Sequence, residues 1–230
     1  MAIKPMDDGN HGDVAGAPRS QYDITITVLV GKTSTRYIVH QDMIIHGSGF
    51  FRKACCGDWK EAHERIVRLA SANAGYFHIY LDWLYGPNTD LYANTMGALP
   101  EITKVSSPLH KGYVLSHICK LWTLGDFLQD HKFQGAVMAA LDAVMAALDA
   151  VMAALDANPS TEAPAGPTVE YVVNNTSTGS PLRTWLINDM VRYLVSSAPT
   201  TALLDELTDK LPADFLMSLM KTLLSKRKRG

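Results

Sequence analysis

Two groups of residues carry side chains suited to catalysis or metal binding. The serine of His46-Gly47-Ser48-Gly49 resembles that of a nucleophile elbow, but the elbow motif requires glycine at its first position. Cys55 and Cys56 with His63 offer a thiol dyad or zinc ligands, yet no Cys-x-x-Cys or His-x-x-x-His pair accompanies them. No phosphate-binding glycine loop is present. We therefore expect no catalytic, cofactor-binding or metal site, and a binding protein rather than an enzyme.

Length, charge and cysteine content bound the kind of protein. A chain of 230 residues with 47% apolar side chains has room for one or two domains. The net charge of −2 provides no overall basic field, so direct nucleic-acid binding is not expected. Three cysteines without a recognisable signal peptide predict reduced thiols and an intracellular location, cytoplasmic, nuclear or both. No apolar run is long enough for a membrane span.

The residues between Asp23 and Leu69 form the block around which the chain is organised. Apolar residues at every second position of 24–30 predict a half-buried strand. A second strand at 36–39 follows closely enough to complete a hairpin. A helical turn at 40–45, an apolar plug at 48–54 and a third strand at 65–69 complete this block.

Apolar residues at helical spacing mark most of the remaining chain. Residues 74–85 and 115–127 each form one apolar stripe, with Cys119 and Phe127 on the buried face of the second helix. Residues 169–173 have the composition of a short strand, and helices are expected from Pro181, at 201–208 and at 213–225. The remaining segments are assigned to a disordered leader, a long loop, a linker and a basic tail: residues 1–21, 90–112, 158–167 and 226–230.

One segment repeats the heptad Ala-Val-Met-Ala-Ala-Leu-Asp three times without a change, at residues 136–156. Its helix-forming residues predict one elongated helix over 133–157. Asp142, Asp149 and Asp156 are its only charges, and no Lys or Arg lies four residues away to pair with them. Two interpretations stay open. Either the apolar stripe serves oligomerisation or helix docking, or a tandem duplication lengthened a helix whose first heptad packs while the rest projects.

Several short motifs, taken in order, resemble the BTB/POZ domain and in particular its fungal members. Residues 39–44 resemble the family's Val-His-Lys-Asp-Leu-Leu element, and Ser48-Gly49-Phe50-Phe51 resembles its Ser-Pro-Phe-Phe. Trp59-Lys60-Glu61-Ala62 resembles Phe-Lys-Glu-Ser, and residues 80–85 resemble Tyr-x-x-Trp-Leu-Tyr. Residues 121–128 resemble Leu-Tyr-x-Leu-Ala-Asp-x-Leu, with glycine in the place of the alanine. Residues 171–186 resemble a C-terminal extension that fungal members often carry.

The resemblance implies an α+β fold. A small mixed sheet with a flanking helix cluster would occupy residues 22–157, and a mostly helical extension would occupy 168–225. It also implies a protein-protein interaction module that forms homodimers or other homo-oligomers and works as an adaptor or scaffold, in some members for a cullin-type ubiquitin ligase. The residues that it suggests for protein interfaces are Asp23, His40, Gln41, Asp42, Phe50, Phe51, Ala54, Cys56 and Trp59.

Two positions depart from the family's best-known patterns. Members that dimerise as transcription factors pair the acid at Asp23 with a basic residue, where this chain has Gln41. Cullin-binding members often carry an apolar-x-Glu element, where this chain has residues 54–56 without a glutamate. The alternative function is a nuclear regulator that oligomerises through the same domain. Its nuclear-import signal would be the basic tail, formed by Lys226, Arg227, Lys228 and Arg229.

Overall fold

The structure is a computed structural model that describes residues 24–86, 110–154, 166–196, 205 and 208–227. The strands are β1 (Thr25–Val30), β2 (Thr35–His40) and β3 (Ile66–Leu69). The helices, in chain order, are α1 (Gln41–Gly47), α2 (Gly49–Cys56), α3 (Lys60–Glu64), α4 (Ala74–Tyr85), α5 (His110–Leu128), α6 (His131–Ala154), α7 (Gly166–Asn175), α8 (Pro181–Ser196) and α9 (Ala213–Arg227).

The three strands form one mixed sheet with β1 in the middle. β2 lies antiparallel to β1 on one side, and β3 lies parallel to it on the other. Ile26, Val28 and Val30 alternate along β1 and are buried on one face, as the period of two predicts. The α+β class and the small mixed sheet are therefore confirmed.

Aromatic residues join the sheet to the helices. The Tyr37 hydroxyl of β2 donates a hydrogen bond to the Ala74 carbonyl at the start of α4, 2.8 Å away. The Tyr37 ring also meets the Phe77 ring edge-on, with centroids 5.2 Å apart. Tyr80, one turn further along α4, is fully buried against Phe133 of α6 at 5.0 Å. The helix predicted at 74–85 is confirmed, and its aromatic residues 77 and 80 belong to the core.

The extension from residue 166 onwards is mostly helical where the structure describes it. The strand expected at 169–173 is wrong, because these residues belong to α7. Val169, Val172 and Val173 are buried together, and their spacing of three and four is that of one helix face. Their β-branched composition resembles that of a strand, but packing decides the conformation. α7 begins at Gly166, so the last two residues assigned to the linker are helical as well.

The repeat segment packs further along its length than a projecting helix would. Val137 and Leu141 of the first copy are buried, and so are Val144 and Met145 of the second copy. The expectation that only the first heptad packs is therefore wrong. The predicted elongated helix is observed as α6, which runs to Ala154.

Some expectations fall outside the described residues. These are the leader at 1–21, Asp23, loop residues 90–109, linker residues 158–165 and, within the helix expected at 201–208, every residue except Asp205 and Thr208. Residues 110–112 of the expected loop are helical, because α5 begins at His110. None of the described helices is both long and apolar enough to cross a membrane.

Candidate protein-interaction surface

Ser48 forms the tight turn between α1 and α2. Its hydroxyl donates a hydrogen bond to the Leu128 carbonyl at 2.5 Å and accepts one from the Phe51 amide at 3.2 Å. The side chain is fully buried, so it serves as the N-cap of α2. The Gly49 amide donates to the Gln129 carbonyl at 3.2 Å, which fastens this turn to the one between α5 and α6. The serine of the elbow-like sequence is therefore engaged as a helix cap.

The two consecutive phenylalanines of α2 point in different directions. Phe51 is completely buried and lies 6.3 Å from Phe77, ring centroid to ring centroid. Its assignment as an interface residue is therefore wrong, because a side chain inside the core cannot contact a partner. Phe50 is half-buried at the surface, about 100° away around the helix. It remains a candidate for partner contact.

Phe127 lies beside Phe50, with ring centroids 5.1 Å apart. The apolar pattern places Phe127 on the buried face of α5, but 46% of its surface is exposed. The reason is its spacing: Phe127 follows the buried Trp122 by five residues, which rotates it about 140° away from that face. This five-residue spacing is the feature of the sequence from which the exposure of Phe127 could have been predicted. We call Phe50, Lys53, Phe127 and Gln129 the aromatic surface, in which the Lys53 ammonium donates to the Gln129 side chain at 3.1 Å.

A second exposed aromatic residue marks the other end of α2. Trp59 has 66% of its surface exposed, and its ring covers Gly57 so closely that a Cβ there would lie 2.6 Å from the indole Cδ1 atom. Cys56 is exposed and Ala54 is half-buried on the same short helix. Because α2 has eight residues, about 12 Å separates its two ends, so Trp59 lies at the opposite end of α2 from Phe50.

Two of the three thiols are poorly suited to nucleophilic chemistry. Partial burial, followed by the neighbouring Cys56, raises the pKa of Cys55 to about 11. Burial raises the pKa of Cys119 to about 12, and this side chain is inside the core as its helical position predicts. Raised pKa values keep both groups protonated near neutral pH. Among the described residues, no cluster of three or more His, Cys, Asp or Glu side chains is arranged to hold a metal ion.

The candidate residues at the β2–α1 corner take part in internal contacts. The Tyr85 hydroxyl lies 2.9 Å from His40 Nδ1 and accepts a hydrogen bond from the His40 amide at 3.0 Å. The Gln41 amide donates to the Ile24 carbonyl at 2.8 Å and continues the hairpin. Asp42 is exposed in the first turn of α1. Asp23 lies outside the described residues, so its pairing with position 41 stays a prediction.

A buried carboxylate, that of Asp130, lies next to the turn between α1 and α2. Asp130 accepts a hydrogen bond from the Phe133 amide at 3.0 Å and another from the Tyr80 hydroxyl at 3.1 Å. Burial and the Asp130 charge raise the pKa of Tyr80. A Cβ at Gly47 would lie 2.7 Å from the Asp130 carboxylate, so the α1–α2 turn fits only with glycine there. The role of Asp130 could have been predicted from its N-cap position, because it precedes Phe133 by three residues at the start of the next helix.

The basic tail is described only in part. Lys226 and Arg227 form the last turn of α9, where Lys226 is exposed, while Lys228 and Arg229 lie outside the described residues. The nuclear-import hypothesis stays a prediction. A comparison of the whole chain with protein-family models and with curated proteins gives no significant match. The resemblance to the BTB/POZ domain therefore stays a prediction from the sequence motifs.

Proposed function

We propose that the chain is a protein-protein interaction module of the BTB/POZ type that works as an adaptor or scaffold. The ordered motifs support the family assignment. The element order supports it as well, because a hairpin, three short helices, a third strand and a further helix follow one another around one mixed sheet. All of the motifs fall on described residues, and most of them include buried residues of the core. The pair Phe50 and Phe51, for example, separates into one surface and one core side chain.

The observation that carries the proposal is the aromatic pair at the surface, formed by the half-buried Phe50 and the exposed Phe127. Large aromatic side chains at the surface contribute much of the binding energy at protein interfaces. The pair rests on a rigid base, because α2 is fastened to the α5–α6 turn through Ser48 and Gly49. Lys53 and Gln129 add a polar edge beside the rings. A rigid apolar centre with a polar rim is the usual anatomy of a protein interface.

Two partners are proposed for the aromatic surface, a second copy of this chain and a cullin. Self-association requires no further component, and it accounts for an apolar patch that water would otherwise disfavour. A cullin remains the second proposal, although the end of α2 has cysteines where cullin-binding members often have glutamate. Both proposals predict that the loss of the Phe127 ring weakens assembly without unfolding the chain.

The test compares wild type with Phe127→Ala by sedimentation equilibrium and by pull-down of a purified cullin. Removing an interface aromatic costs about 2 kcal/mol or more, so association should weaken by roughly 30-fold. Met220→Ala is the matched control, because Met220 is comparably exposed on α9, far along the chain from α2. Thermal melts confirm that both variants fold. A wild-type chain that stays monomeric and binds no cullin would sink the proposal.

A further inference from the structure

β2 is an edge strand whose outer backbone groups are partly open. The Gln41 amide bonds to the Ile24 carbonyl, so residues 41, 39, 37 and 35 face β1 in the antiparallel ladder. The amide and carbonyl groups of Arg36, Ile38 and His40 therefore point away from β1. The Tyr85 hydroxyl already accepts from the His40 amide at 3.0 Å. Arg36 and Ile38 present the remaining row, and no described strand pairs with it.

The outer face of the sheet carries side chains in two rows that cross all three strands. The strand register places Ile38, Thr27 and Ile66 in the first row. It places Arg36, Leu29 and Arg68 in the second row. Ile38 is 62% exposed, the highest exposure of any large apolar side chain in the sheet. A row with an isoleucine at each end thus lies next to a row with an arginine at each end.

The second row has unbalanced positive charge. Glu64 lies 4.0 Å from Arg68, and it also contacts Lys60 at 3.4 Å. Arg36 is exposed at the open edge, and no carboxylate of the described residues forms an ion pair with it. A strand placed beside β2 would extend both rows, with one side chain next to Ile38 and one next to Arg36. An opposite charge directly across from an arginine stabilises a strand pair.

We propose that β2 binds an extended acidic segment of a partner protein as a fourth strand of the sheet. Antiparallel pairing is the more stable arrangement, and it fixes the pattern of the segment. An apolar residue lies opposite Ile38, and an aspartate or glutamate two residues later lies opposite Arg36. The sequence of the bound segment therefore follows the pattern apolar-x-acidic, where x is any residue. Its backbone supplies affinity through the open groups of β2, and its side chains supply specificity.

A second copy of β2 fits this edge less well than an acidic segment. Antiparallel pairing about Arg36 places two arginines opposite each other, which is destabilising. Pairing about Ile38 places Arg36 opposite the His40 of the other copy, whose amide already donates to Tyr85. The intermediate register places each arginine against an isoleucine. None of the three registers offers a carboxylate to Arg36.

The probe that tests the proposal is the fluorescein-labelled peptide Thr-Thr-Val-Thr-Glu-Thr-Thr, with binding to the full chain followed by fluorescence anisotropy. In the proposed register the valine amide donates to β2, while the amide of the central threonine points away. Methylation of the valine nitrogen should weaken binding more than about tenfold. Methylation of the central threonine nitrogen is the matched control and should change binding little.

Variants of β2 test the charge and the edge separately. Arg36→Glu should weaken binding by roughly threefold to tenfold, and a peptide with lysine in place of glutamate should recover it. Ile38→Pro removes an outward amide but no hydrogen bond to β1, so it should abolish binding in a folded chain. Phe127→Ala should bind the peptide as wild type does, because the aromatic surface is a different site.

Three outcomes would overturn the proposal. The first is no saturable binding of the peptide up to about 1 mM. The second is equal binding of the two methylated peptides, since that would show contact without strand addition. The third is self-association of the chain that Ile38→Pro abolishes, since a second copy would then occupy the edge. A result for Phe127→Ala that differs from the result for Ile38→Pro distinguishes this surface from the one under the proposed function.

Discussion

The turn between α5 and α6 and the repeat segment of α6 belong to one helical hairpin, yet they contact their neighbours in different ways. At the turn, Asp130 is fully buried and holds Phe133 and Tyr80 through one carboxylate. In the repeat segment, Asp142 accepts from the Trp185 indole at 3.1 Å, and Asp149 pairs with Arg192 at 2.9 Å. Both of these contacts lie nearer the surface.

The two regions differ in how many times the sequence repeats the residue that makes the contact. Asp142 and Asp149 are seven residues apart, and their partners Trp185 and Arg192 on α8 are also seven residues apart. α6 and α8 therefore run in parallel with matched heptad spacing. The first two copies each place their aspartate against α8, whereas the turn offers its carboxylate once. We expect the chain to tolerate the loss of one copy of the repeat, because an identical copy replaces it, while the turn should tolerate little change.

The largest expected effect comes from deleting two copies of the heptad, residues 143–156. This deletion removes the buried Val144 and Met145, which should lower the free energy of unfolding by roughly 3 to 5 kcal/mol. Deletion of one copy, residues 143–149, brings the identical third copy into the same positions. Its effect should stay below about 1 kcal/mol. Urea unfolding of the three chains measures the difference.

Equal losses for one and two deleted copies would contradict this interpretation, since they would show that the exact length of α6 matters. Equal stability of all three chains would show instead that the second copy contributes little. That second result would support a projecting helix, which the burial of Val144 and Met145 argues against. Circular dichroism at 222 nm confirms that the shortened chains remain helical.

The regular elements of the fold were predictable because their apolar spacing is regular. The hairpin, the helix at 74–85 and the elongated helix all follow a clear period of two or 3.6. The segment at 169–173 was not predictable from composition, because five residues rich in valine suit a strand or a buried helix equally well. The extent of packing along the repeat could not be inferred either, because the identical copies give no sign of which one meets α8.

The candidate surface was predictable only in part. The motif that resembles Ser-Pro-Phe-Phe identified Phe50, but sequence alone did not show that Phe51 turns into the core. Phe127 was missed because an aromatic near an apolar stripe is normally buried. Both errors concern the direction of a side chain around a helix, about 100° between Phe50 and Phe51 and about 140° between Trp122 and Phe127, and contacts between distant segments decide that direction. The arginine row of the sheet depends on strand register, which a single sequence does not specify.

A loss of stability of intermediate size is expected at Asp130, the residue that tests the turn against the repeat most directly. Asp130→Ala leaves the Tyr80 hydroxyl and the Phe133 amide without their acceptor inside the core. The free energy of unfolding should fall by about 2 to 4 kcal/mol. Asp130→Asn keeps an N-cap acceptor, so it should recover at least half of that loss. A difference below about 0.5 kcal/mol between wild type and Asp130→Ala would show that the turn is no more demanding than the repeat.

The smallest effect is expected at Asp149, the counterpart of Asp130 within the repeat. Its carboxylate pairs with Arg192, but both side chains are more than a third exposed, and Arg192 also pairs with Asp189. Solvent screening limits such a pair to less than about 1 kcal/mol. Asp149→Ala should therefore lower the free energy of unfolding by much less than Asp130→Ala does. A double-mutant cycle with Arg192→Ala isolates the pair, and Asp142→Ala is the matched control. A coupling energy above about 2 kcal/mol would show that α8 selects one particular copy, because redundant contacts across identical copies would not produce so strong a dependence on one carboxylate.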